Sequence, residues 1–252
     1  MRRYLYRTTD SGPLKPLMGN APPCTARERA GDLSKVVGSA FEGATTDGSV
    51  TQRVDTFLIK KKFFVSQRSH LDIRNARNEI CYKSVFEPDG VIFTDKSGIK
   101  FCKLVKNSEL AAVFYVYTYC PNFSDQQPED WQVKDNNGTP LYRWAVIQQE
   151  MCGVTPKTKL SVYVSHDVLR PALIAELEWT LALKLCMIEV ETGQVVGCMD
   201  DFGDSTVVSL TVAPGCDALG MICLAIAIDD LRDEKLTILL EGGAASSQKR
   251  IK

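Results

Sequence analysis

The chain has two histidines, no C-x-x-C pair and no apolar run long enough to cross a bilayer. Each absence removes a class of function. Zinc sites of the usual kind need paired cysteines at short spacing. Nine cysteines without that spacing read as small buried hydrophobes in the thiol state. Cys216 and Cys223 would share one face of a helix. A spanning helix needs about 20 apolar residues, and no segment supplies them. The basic start, Met1-Arg2-Arg3-Tyr4-Leu5-Tyr6-Arg7, lacks the apolar core of a secretory signal. The expected location is therefore cytoplasmic, with peripheral contact at the inner membrane surface left open. A net charge of −1 exerts no general pull on nucleic acid, and no such partner is expected.

Catalytic signatures are missing too. No G-x-S-x-G elbow, H-E-x-x-H pair or phosphate-binding loop occurs. His70 and His166 both read as turn residues, and nothing supports His70 with Cys81 as a nucleophilic couple. Asp200-Asp201-Phe202-Gly203-Asp204-Ser205 lacks the ligand repeat of a calcium loop. The expectation is a protein that is not an enzyme and uses no metal and no cofactor.

What the chain does have is strand-forming sequence. Residues 1–52 are rich in Gly, Pro, Ser, Thr and charge without sustained periodicity, which predicts a disordered arm with at most a weak helix over 26–42. From there, strands are expected at Thr56–Ser66, Leu71–Ile73, Ile80–Phe86, Val91–Phe93, Ile99–Val105 and Ala111–Tyr119. More follow at Leu141–Gln148, Lys159–Ser165, Ile174–Trp179, Leu183–Val190, Gln194–Met199, Thr206–Val212 and Leu236–Leu240. Turns fall at Pro88-Asp89-Gly90, Asp95–Gly98, Asn136-Asn137-Gly138 and Glu191-Thr192-Gly193, and Pro121–Pro140 reads as a long exposed connection. Short strands at this spacing argue for an all-β barrel or sandwich. The domain is placed at 53–241, with a flexible tail over 242–252.

One segment departs from the pattern. Val212–Leu231 reads VAPGCDALGMICLAIAIDDL, apolar on every side from Ala218 to Ile228 and closing in Asp229-Asp230. A helix that is apolar all round must be buried all round, here inside the protein's own sheet.

Three stretches carry a family likeness. They are Phe57–Val85, with LDIRNARNEICYKSV; Leu185–Met199, with CMIEVETGQVVGCM; and Ser209–Asp230, SLTVAPGCDALGMICLAIAIDD. Together they make residues 55–241 resemble the LURP-one-related proteins of the Tubby C-terminal-like superfamily, to which phospholipid scramblases also belong. The resemblance implies a closed, twelve-stranded antiparallel β-barrel around a central apolar C-terminal helix. Asn78 stands where the family's opening turn usually carries Gly. The cysteine-rich, Pro-rich and acidic calcium segments of scramblases have no counterpart.

Charge is unevenly distributed. Between Phe57 and Lys106 lie eleven basic and five acidic residues, whereas Pro171–Glu241 holds thirteen acidic and three basic ones. Tubby-type domains bind phosphoinositides through basic residues on early strands, and by that resemblance only the Lys60-Lys61-Lys62 strand lies in a comparable place. The basic balance of the early strands adds Arg74 and Arg77, so that Lys60, Lys62, Arg74 and Arg77 are the candidate residues. Lys61 of the same triplet should face the other way on a regular strand. The expected function is a binding module for phosphoinositide or other anionic phospholipid headgroups, or for a protein partner at the membrane surface. A scramblase-like protein is the first alternative and an unrecognised enzyme the second.

Overall fold

The computed structural model describes residues 51–61, 70–107, 112–121, 128, 131–152, 155–164, 169–176, 184–201 and 206–231, together with Leu33. Thirteen strands are found among them: β1 (Asp55–Lys60), β2 (His70–Asn75), β3 (Ile80–Glu87), β4 (Gly90–Thr94), β5 (Lys100–Lys106), β6 (Val113–Thr118), β7 (Gln132–Lys134), β8 (Pro140–Cys152), β9 (Thr155–Val164), β10 (Leu173–Glu176), β11 (Lys184–Glu189), β12 (Val195–Asp201) and β13 (Val207–Val212). All but β7 form a ring of twelve antiparallel strands. β1 pairs with β13 from Asp55↔Val212 to Lys60↔Val207, and β6 closes on β8 from Val113↔Gln148 to Thr118↔Tyr142. Closure leaves no sheet edge to cap.

Alternation builds the wall. In β13, Val208, Leu210 and Val212 are buried while Val207, Ser209 and Thr211 face outward, the period-2 signature of a sheet with one wet face. β4 is buried along its whole length. There a Cβ on Gly90 would collide with the Leu104 carbonyl of β5, so the two strands approach as only glycine allows.

The lumen holds one helix, α1, running over 218–231. Every residue from Ala218 to Ile228 is buried, and all but Gly220 are at most 1% exposed. Leu219, Ile222, Leu224, Ile226 and Ile228 each contribute about 1.5–3 kcal/mol by that burial. Small wall residues make room: a Cβ on Gly197 of β12 would run into the Met221 side chain. Gly215, at φ 84°, turns the chain from β13 into the lumen. Asp217 then caps the helix, its Oδ1 accepting from Gly220 N at 3.0 Å. Thr51 braces this corner, with its N–H donating to Cys216 O (3.0 Å) and its carbonyl accepting from Gly215 N (2.8 Å).

Several expectations need amendment. α1 does not close at Asp229-Asp230; both are buried within it, Asp230 held by Lys106 of β5. Cys216 precedes the helix instead of lying on it. Residues 121–140 are not all exposed connection, since β7 pairs with the start of β8 and Asp135 is buried. β1 ends at Lys60, before the lysine triplet is complete. Within the arm, Leu33, Thr51 and Gln52 are described; Leu33 and Thr51 are buried and Gln52 is exposed. The rest of 1–50, Lys62, His166 and the strand expected at Leu236–Leu240 lie outside the described residues. No helix among those described is long and apolar enough to cross a membrane.

Candidate functional site

The helix direction distinguishes the two barrel ends. One rim holds the N-cap Asp217 and the turns 75–79, 95–98, 135–139 and 190–194. The other holds the C-terminal end of α1, the β3–β4 turn and the far end of β1. Strand register puts Lys60 and Arg77 at opposite ends. Arg74 stands beside Leu58, and Ala76 N donates to Thr56 O (3.1 Å), so Arg77 lies beyond the start of β1 while Lys60 ends it. About 16 Å of strand separates the two levels. Lys60 and Arg74 both point outward, but Arg74 is engaged, with Nη2 3.0 Å from Asp72 Oδ2 and Nη1 donating to Asn78 O at 3.0 Å. The three of the sequence candidates that are described, Lys60, Arg74 and Arg77, therefore do not converge on one spot.

Three of the basic residues between Phe57 and Lys106, all on β5, are used internally. Lys100 holds Asp135 (2.8 Å), Lys103 holds Glu87 and Asp89 (2.8 and 2.7 Å), and Lys106 holds Asp230 (2.6 Å). Burial would lower the Lys103 pKa, but the bonds from Asp89 and Glu87 outweigh it and leave the ammonium raised. Asp135 is held well below the usual carboxylate range by Lys100 and by the backbone N–H groups of Thr139 and Asn137. Beside it, burial and the Asp135 charge push the Tyr119 phenol up.

At the N-cap rim the turn after β2 is tightly organised. Asn75 Oδ1 accepts from the N–H groups of Arg77 and Glu79, both at 2.9 Å, and Asn78 occupies the left-handed region at φ 63°. Asparagine tolerates that conformation better than other residues with a Cβ, which explains how it stands where the resembling family uses glycine. The turn and residues 53–56 line a depression of about 270 Å³ flanked by Arg53 and Arg77. Arg53 Nε lies 3.5 Å from Asp55 Oδ1, an exposed pair of little energetic weight. Arg77 is exposed, held by its backbone alone among the bonds of this turn.

The same rim carries exposed apolar side chains. Ile99 is 60% exposed, Val133 39%, Leu169 88% and Val190 40%. The Lys100–Asp135 bridge brings the Ile99 turn to the end of β7, which carries Val133, and Val190 N donates to Ala172 O (2.9 Å), drawing the Val190 turn to the segment after Leu169. Lys96, Lys134 and Arg170, all exposed, stand near them in sequence; Asp55, Glu79, Asp95 and Glu191 are acids of the same rim among the described residues, with Asp135 and Asp217 buried there. Sequence reading passed over Arg53 and the four apolar residues. Their only local signal is an apolar residue set beside turn-forming or charged neighbours, as in Gly98-Ile99-Lys100 and Leu169-Arg170.

His70 and Cys81 are not brought together. His70 pairs with Val85, whereas Cys81 lies at the bulge opposite Ile73 and Arg74. Burial pushes the Cys81 thiol up, which disfavours a thiolate. Among the described residues, no three His, Cys, Asp or Glu side chains are grouped to hold a metal.

The fold is similar to the X-ray structure of the Arabidopsis thaliana protein AT5G01750, with a TM-score of 0.51 and 16% identity, covering 77% of this chain and 99% of that one. No protein-family model and no curated protein matches the chain. At that identity the likeness is one of fold.

Proposed function

We propose that the chain is a non-enzymatic, LURP-one-related, Tubby-like barrel that docks its N-cap rim on an anionic lipid surface, with phosphorylated headgroups received between Arg53 and Arg77. One observation carries the reading. A preorganised turn presents an arginine beside a depression on the same rim that exposes four apolar side chains from separate segments. Anionic surfaces attract basic residues at about 1 kcal/mol each, and apolar tips add a contact that salt does not screen. Lys60, at the opposite end, is not part of this site, and Arg74 serves it by holding the turn.

The test is co-sedimentation of the full chain with phosphatidylcholine vesicles, with and without phosphoinositide, at low ionic strength. Binding should require the phosphoinositide and fall several-fold in Arg77→Glu and Arg53→Glu, while Lys60→Glu binds as wild type. A wild-type chain that ignores phosphoinositide vesicles in low salt would overturn the reading and make a protein partner the default.

A further inference from the structure

Cys186 of β11 and Cys198 of β12 face each other directly in register, with sulfur atoms 3.6 Å apart. Directly opposed residues of antiparallel strands have Cα atoms about 4.5–5.5 Å apart, inside the roughly 4.4–6.8 Å range a disulfide spans. Neither backbone has to move for a bond to form. Both side chains lie on the outer face of the wall, since a Cβ on the neighbouring Gly197 would meet Met221 of α1 and Met187, which puts positions 187 and 197 on the inner face. Cys186 is partly exposed and Cys198 almost covered, at 3%. A second pair, Cys102 and Cys223, has sulfur atoms 4.0 Å apart, but both sit at or below 1% exposure between wall and helix, and the Cys223 contact and burial hold the Cys102 thiol far up. The two pairs have similar spacing, but only the first includes a partly exposed residue, Cys186.

We propose that Cys186 and Cys198 form a peroxide-oxidised dithiol couple, a disulfide modification site on the outside of the barrel. The Cys186 thiolate attacks one peroxide oxygen. The O–O bond breaks, leaving a sulfenic acid on Cys186 and a hydroxide that takes a proton to become water. The Cys198 thiolate then attacks the sulfenic sulfur. An S–S bond forms, the S–O bond breaks, and the departing hydroxide is protonated to a second water. Two thiols are oxidised and one peroxide is reduced. A thiol reductant reverses the bond by exchange.

The test uses the full chain, reduced, desalted and treated with a small excess of hydrogen peroxide. Digestion after glutamate cuts at Glu189 and Glu191, between the two cysteines, so mass spectrometry reads the link directly. The expected product is a Cys186–Cys198 cross-linked peptide, lighter by two hydrogens and split by dithiothreitol, with Cys102 and Cys223 still alkylatable. In Cys198→Ser, Cys186 should instead be trapped by dimedone as sulfenic acid. The proposal is overturned if peroxide first links another pair, joins two chains, or leaves Cys186 and Cys198 as thiols while Cys81 or Cys120 oxidises. The wild-type peptide map decides the matter alone should the serine variant fail to fold.

Discussion

Lys106, at the end of β5 and on the same strand face as Cys102 and Leu104, reaches Asp230 in the last described turn of α1, with Nζ 2.6 Å from Oδ2. Asp230 is 9% exposed and Lys106 30% exposed. The helix is thus pinned at both ends, by the Asp217 cap where it starts and by this ion pair where its described part stops.

Removing one partner of a largely buried pair strands the other charge, which is worse than removing both. Lys106→Met should therefore destabilise the fold by about 2–4 kcal/mol, whereas Lys106→Met with Asp230→Leu should recover part of that loss. Urea denaturation of the two single variants and the double variant measures the coupling. A double variant no more stable than Lys106→Met would show that Asp230 is held by something else.

Asn78 offers a backbone test. At φ 63° a residue with a branched Cβ is strained by about 1–2 kcal/mol. Asn78→Gly should be neutral or slightly stabilising, and Asn78→Val should lower stability by roughly that strain. Equal stabilities for the two variants would mean that the turn relaxes out of the left-handed conformation.

Asp135 links stability to pH. Its folded pKa is depressed, chiefly by Lys100, so its contribution is fully present above the unfolded value of about 3.9. That contribution fades as pH falls from there through the folded pKa. Asp135→Asn should lower the urea midpoint at pH 7, and the gap to wild type should narrow below about pH 4. A gap that stays constant down to pH 3 would assign the effect to packing instead of charge.

Local pattern made most of the architecture readable. The alternation of β13 and the all-round apolar face of 218–228 each demand one environment, and a barrel around a helix supplies both. What escaped depends on contacts distant in sequence. Asp135 looks like an ordinary turn acid until Lys100 arrives from the neighbouring hairpin. Asp230 looks like a helix stop until Lys106 meets it. Lys60 and Arg77 lie close in sequence, but β1 runs from one rim to the other, and only the register with β2 shows that they diverge. Charge counts along the chain carry no information about which end of a strand a residue occupies.

The docking reading separates into a charge part and an apolar part, which two variants should pull apart. Arg77→Glu acts on headgroup recognition, so it should weaken binding both to phosphoinositide vesicles and to a soluble inositol phosphate. Leu169, 88% exposed, can meet only a surface. Leu169→Asp should leave soluble inositol phosphate binding unchanged and weaken vesicle binding several-fold. Salt should discriminate further. Wild-type binding should fall as ionic strength rises and the Debye length shrinks to about 8 Å at physiological salt, with a residue of apolar binding surviving. In Leu169→Asp that surviving fraction should vanish. If Leu169→Asp sediments like wild type at every salt concentration, the apolar tips do not enter the bilayer and only the headgroup part of the reading stands.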